Sequence, residues 1–182
     1  MGRLYYITGG AGSGKSEYAE QLAERLHAEL AGPLYYVATM NPAPRDSDAA
    51  ARIAKHQTRR AGRGYTTIEC PTDIAQLRTQ ASKNAVFLLE DLTNLYANEV
   101  YGTSGHPHEI VAPLLALTQQ AGAVIIVANE LYSDGIDYGP ETDRFLRDLA
   151  GIAAALSTAA DQVTEVVYGI PVQMKGEVCS IH

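Results

Sequence analysis

The chain has 182 residues, 46% of them hydrophobic, enough for one well-buried core and short for two, so a single domain spanning residues 1–182 is expected. A formal net charge of −7 disfavours a nucleic-acid partner, whose phosphates are neutralised by Lys and Arg, and points to small molecules instead. Cys70 and Cys179 have no disulfide or zinc spacing, and no apolar stretch approaches the about 18 residues of a membrane span; with Met1-Gly2-Arg3 leading straight into an apolar run, a cytoplasmic protein is expected.

The first apolar run, Leu4 to Thr8, is followed at once by Gly9-Gly10-Ala11-Gly12-Ser13-Gly14-Lys15-Ser16, a complete G-x-x-x-x-G-K-S phosphate loop. Glycine lets backbone N–H groups curl around a phosphate, Lys15 reaches the β and γ phosphates, and the Ser16 hydroxyl suits Mg²⁺. From Ser16 to Leu30, apolar residues recur at Tyr18, Ala19, Leu22, Leu26 and Leu30, one face of a helix whose N-terminus carries that loop. The pattern predicts binding of a nucleoside triphosphate.

Further short apolar runs bounded by turn residues follow at Leu34 to Thr39, Ala85 to Glu90, Ala123 to Asn129 and Gln162 to Tyr168, with Val172 to Lys175 as an edge strand after a Gly169-Ile170-Pro171 break. Helical periodicity lies between several of them. The alternation predicts an α/β fold of the phosphate-loop, RecA-like type: a mostly parallel sheet with helices on both faces. Asp46 or Ser47 is placed to cap a second helix running through Arg52, Ile53, His56 and Arg60 to about Gly62. The loops Tyr101 to Glu109 and Leu131 to Glu141 are richest in turn residues. Loops at the carboxyl ends of strands are where such folds place substrate.

Phosphoryl transfer needs a second anchor for Mg²⁺ at the end of a buried strand, and Val86-Phe87-Leu88-Leu89-Glu90-Asp91 supplies two carboxylates there. Glu90 is the first choice and Asp91 the alternative; a cap on the next helix is the competing use of either. Val127-Ala128-Asn129-Glu130 delivers an amide and a second carboxylate to the same edge, suited to positioning a substrate hydroxyl or another phosphate. On the second expected helix, Arg52, Arg59 and Arg60 share a face with His56. A neutral imidazole there can attack phosphorus while the guanidinium groups lower its pKa and stabilise the transferring charge. A solvated basic face with an incidental histidine is the alternative from spacing alone.

Together these motifs resemble the bifunctional adenosylcobinamide kinase and adenosylcobinamide-phosphate guanylyltransferase family of cobalamin biosynthesis. The resemblance runs through Ile7 to Ser16, Leu34-Tyr35-Tyr36-Val37-Ala38-Thr39, Arg52-Ile53-Ala54-Lys55-His56, Thr67-Ile68-Glu69, Leu88-Leu89-Glu90 with Thr93 and Asn98, Asn129-Glu130, Arg147-Asp148 with Gly151, and Ala160-Asp161-Gln162-Val163 to Gly169-Ile170-Pro171. It implies one site for two reactions. The hydroxyl of adenosylcobinamide takes the γ-phosphate of ATP or GTP, with Lys15, Ser16 and Mg²⁺ stabilising the group. The residue matching His56 then attacks the α-phosphate of GTP and passes GMP to the corrinoid phosphate. The resemblance also implies nucleotide contacts from the residues matching Ala38, Thr39, Met40, Glu69 and Glu90, and from Gln57, Thr58, Arg59 and Arg60 after the histidine. A homotrimer is implied as well.

The chain departs from the family pattern in several places. Gly12 stands where Arg is usual, Asp91 where Cys is common, and Tyr65 where Trp is common. Ala154 and Ala155 replace an Asn-Gln pair, and Leu131 to Pro140 is longer than the usual loop. A small-molecule kinase without guanylyl transfer, or a module that binds nucleotide without transferring it, are the alternatives these changes leave.

Overall fold

The computed structural model describes residues 2–40, 58, 62–102, 109–132 and 135–177. Seven strands form one sheet. In chain order the elements are β1 (Arg3–Gly9), α1 (Lys15–Leu30), β2 (Leu34–Ala38), β3 (Tyr65–Glu69), a 3₁₀ helix (Ile74–Gln80), β4 (Val86–Glu90), α2 (Leu92–Tyr101), α3 (Val111–Gln120), β5 (Ala123–Asn129), α4 (Pro140–Ala159), β6 (Gln162–Val167) and β7 (Ile170–Lys175). The strand order is β3-β2-β4-β5-β1-β6-β7. Every neighbouring pair is parallel except β6 with β7.

The central strands read as unbroken apolar runs because both of their faces are covered. Tyr5, Ile7, Val86, Leu88, Ile125 and Val127 pack in one cluster with Tyr18, Leu22 and Leu26 of α1. Their alternating neighbours Leu4, Tyr6, Phe87, Leu89, Val124 and Ile126 pack in the other, against Leu92 and Leu95 of α2, Leu114 and Leu117 of α3, and Leu149 and Leu156 of α4. Leu22 and Leu26, each 1% exposed, contribute about 1.5–3 kcal/mol apiece over an exposed position and hold α1 against the sheet. The phosphate loop sits where β1 hands over to that helix.

The apolar runs locate five strands and the edge strand, but three details differ. β3 carries no apolar run: Thr66, Thr67 and Glu69 are exposed because it is an edge strand with little to bury. β2 stops at Ala38 and β6 at Val167, one residue short in each case. β7 begins at Ile170, because the hairpin turn is only Tyr168-Gly169, whose φ values of 49° and 80° are those a two-residue turn requires. Pro171 lies within this edge strand, where a missing N–H does least harm. The loop expected to run to Glu141 ends instead at Gly139, with Pro140 opening α4. The expected helix through Arg52, Ile53 and His56 lies outside the described residues, as do His106, His108, Cys179 and His182. No helix among the described residues is long and apolar enough to cross a membrane.

Candidate active site at the carboxyl edge of the sheet

The loop from Gly9 to Ser16 is shaped by its glycines at two places in particular. At Gly9 a Cβ would stand 2.5 Å from the Val166 carbonyl oxygen and 2.6 Å from Ser13 Oγ. Gly14, with φ 91°, is the N-cap of α1, and no side-chain hydrogen bond caps the helix there. The first-turn N–H groups are thereby left for an anion, which also meets the positive end of the helix dipole. The Ser13 N–H donates to the Gly10 carbonyl at 3.2 Å. The Ser13 hydroxyl is buried without a partner among the described residues.

Lys15 is 8% exposed and folds back so that Nζ donates to the Gly10 carbonyl at 3.1 Å. Burial lowers its pKa, against the charges of Asp91 and Glu90, which raise it. An ammonium held in a desolvated loop is strongly attracted to an incoming phosphate.

Glu90 ends β4, one strand removed from β1, and its carboxylate accepts from the Ser16 hydroxyl and, at 3.2 Å, from Tyr36 OH. The hydroxyl and carboxylate are the hard oxygen donors that Mg²⁺ prefers, and they are already together. Among the described residues no group of three or more His, Cys, Asp or Glu side chains could hold a metal. Mg²⁺ is usually held by one or two carboxylates plus substrate phosphates rather than by an all-protein cage.

Asp91 is used on both oxygens. Oδ1 accepts from the Asn94 N–H at 2.7 Å, capping α2, and Oδ2 accepts from Asn129 Nδ2 at 3.1 Å. Burial pushes its pKa above the ordinary carboxylate value, and the Glu90 charge adds to this, while the Asn94 N–H, Lys15 and the Asn129 amide oppose it. Of the two expected uses, the structure shows the helix cap, and it falls to Asp91. Glu90 meets the phosphate-loop serine, and Asp91 caps the helix.

The other candidate positions fall along the same edge. Asn129 is in register with Gly9, and the Glu130 N–H donates to the Gly9 carbonyl at 3.1 Å, so the end of β5 is stitched to the start of the loop. The Glu130 carboxylate accepts from the Tyr132 N–H at 2.8 Å. Ala38 is in register with both Glu69 and Glu90, which sets the three in one row across β3, β2 and β4. Thr39 is fully buried, and its hydroxyl donates to the Asp91 carbonyl at 2.8 Å and accepts from the Asp91 N–H at 2.7 Å. Its carbonyl accepts from Asn98 Nδ2, at 2.7 Å. Met40 follows, half-buried, and Thr58 is exposed. His56, Gln57, Arg59 and Arg60 lie outside the described residues.

Sequence reasoning did not assign the clamp of Thr39 and Asn98 on the Glu90-Asp91 corner, or the Tyr36 hydroxyl on Glu90. No spacing signals them, since these partners are 52, 59 and 54 positions apart.

A glycine loop at a helix N-terminus, with a carboxylate delivered from a parallel strand across one intervening strand, defines a phosphate-loop nucleotide-binding fold. A solved structure that shares it is the flagellar accessory protein FlaH from Methanocaldococcus jannaschii, 14% identical with a TM-score of 0.54 over 96% of this chain and 79% of that one. At that identity the likeness concerns the fold alone. The family is given by sequence: the model of cobinamide kinase / cobinamide phosphate guanyltransferase matches residues 5–174, and the chain belongs to that family. The bifunctional adenosylcobalamin biosynthesis protein CobP of Pseudomonas aeruginosa is 32% identical, covering 94% of this chain and 96% of its own length. CobU of Salmonella typhimurium, with the same description, is 32% identical over 94% and 99%.

Proposed function

We propose that this chain phosphorylates adenosylcobinamide with ATP or GTP and then transfers GMP from GTP to the product, giving adenosylcobinamide-GDP. The observation that carries the reading is the Ser16–Glu90 pairing beside Lys15, in a chain whose family is named for both reactions. In the first reaction the acceptor hydroxyl attacks the γ-phosphorus, the bond to the bridging oxygen breaks, and the nucleoside diphosphate leaves. Backbone N–H groups of the phosphate loop and the Lys15 ammonium would hold the transferring group and stabilise its charge as it develops. Ser16 and Glu90 would hold Mg²⁺, with Asp91 keeping the strand end in place behind them. Bound there, the ion would neutralise charge on the β and γ oxygens.

In the second reaction His56 is the proposed nucleophile: its imidazole attacks the α-phosphorus of GTP and pyrophosphate leaves. The corrinoid phosphate then takes the guanylyl group and frees the histidine. Arg59 and Arg60 would stabilise the charge on that phosphate, and Ala38, Thr39, Met40, Glu69, Gln57 and Thr58 would complete the guanosine side. Asn129 and Glu130, tied to Gly9, are proposed to position the acceptor. The cytoplasm and a homotrimer belong to the same reading, the trimer being open to light scattering.

The test uses GTP labelled at the α-phosphate. Wild type should acquire an acid-labile adduct that a cobinamide-phosphate chase removes, and His56→Ala should acquire none while retaining kinase turnover. Kinase turnover without any adduct in wild type would overturn the guanylyl half and leave a small-molecule kinase. Absence of both activities would overturn the whole.

A further inference from the structure

Tyr168 is 94% exposed, the most of any large hydrophobic side chain among the described residues, and it sits in the left-handed region at φ 49°. A bulky aromatic there is an outlier, because the first position of such a two-residue turn ordinarily takes Asn, Asp or Gly. The chain gains no burial from this ring in return for the strained backbone. Its place in the fold supplies a reason. The next residue, Gly169, donates its N–H to the Ser13 carbonyl at 2.8 Å, and a Cβ on Gly14 would stand 3.3 Å from Gly169 Cα. The hairpin turn is thus fastened to the phosphate loop, with Val167 and Ile170, 38% and 65% exposed, on either side.

The site also has a direction. Glu90 and Asn129 lie on the β4–β5 side of β1, and the turn lies on the β6 side. A triphosphate bound as γ-phosphate donor, its terminal phosphate toward Ser16 and Glu90, has its opposite end on the β6 side of the loop, where Tyr168 stands and away from the guanosine residues proposed for the second reaction. We infer that Tyr168 is a stacking platform for the purine base of the nucleoside triphosphate that donates the γ-phosphate. An aromatic ring reads the π-face of a base and not its hydrogen-bonding edge, so it takes adenine and guanine alike. The inference rests on the nucleotide-binding reading above, and the experiment separates the two.

AMP-PNP and inorganic tripolyphosphate, each with Mg²⁺, are titrated calorimetrically into wild type, Tyr168→Asn and Tyr168→Phe. Asn suits positive φ, so the turn survives in that variant. Tyr168→Asn should bind AMP-PNP about 5- to 150-fold more weakly, the span of a base–aromatic stack, while tripolyphosphate affinity is unchanged and Tyr168→Phe binds as wild type. The chain has 0 Trp, so Tyr168→Trp adds a single reporter whose emission should change with AMP-PNP and stay constant with tripolyphosphate. Unaltered AMP-PNP affinity in Tyr168→Asn overturns the stack while leaving the phosphate loop standing. Equal loss of both ligands overturns it too, making the turn a brace for the loop. A changed oligomeric state in Tyr168→Asn would assign the ring to a contact between copies. Failure of wild type to bind either ligand would instead remove the nucleotide reading itself.

Discussion

Glu90 and Tyr168 stand on opposite sides of one phosphate loop and are held in opposite ways. Glu90 accepts from Ser16 and Tyr36, and the corner it shares with Asp91 is clamped by Thr39, Asn94 and Asn129 before any ligand arrives. Tyr168 presents a bare ring on a two-residue turn secured through its neighbour's backbone. The difference matches what each is proposed to meet. A carboxylate fixed in advance would hold a cation against a moving phosphoryl group without reorganising at the moment of transfer. A flat base asks for area, which an exposed ring offers as it stands.

The largest break in that comparison should come at the loop itself. Lys15→Ala removes the buried cation of the loop, and kinase kcat should fall by about 10²–10³ with the circular dichroism spectrum unchanged. Glu90→Gln keeps the shape and removes the charge; the Mg²⁺ concentration for half-maximal turnover should rise about tenfold or more, read from a metal titration at saturating ATP. Thr39→Val conserves volume but leaves the Asp91 N–H and carbonyl without their shared hydroxyl, so urea denaturation should show a loss of about 1–3 kcal/mol. On the other side the sign reverses. Tyr168→Asn relieves a left-handed aromatic and should raise the stability of the ligand-free protein by about 1 kcal/mol, seen as a higher midpoint in the same denaturation. A loss there would show that the ring contributes to the fold, and the contrast between the two sides would disappear.

Much of the fold was legible in the chain because the signals are local. The glycine spacing before Lys15, the helical face from Tyr18 to Leu30 and the apolar cores of β1, β4 and β5 each depend on residues within one element. β3 was not legible, since an edge strand of Tyr65, Thr66 and Thr67 buries too little to leave an apolar run. Of the candidate site, the loop and the strand ends carrying Glu90 and Asn129 could be named as residues bound for one edge. The division of labour between Glu90 and Asp91 could not, because either carboxylate satisfies the same local pattern.

What the sequence by itself determined, then, is a set of elements with their chemistry at the ends: a phosphate loop, acidic and amide strand termini, and a glycine turn near residue 169. Tertiary structure decided which ends meet. Ser16 and Glu90 are 74 positions apart, and Asp91 and Asn129 are 38 apart. They come together only because β5 inserts between β1 and β4 in the sheet. That order depends on helices packing against both faces at once, a property of the assembled core that no single segment encodes.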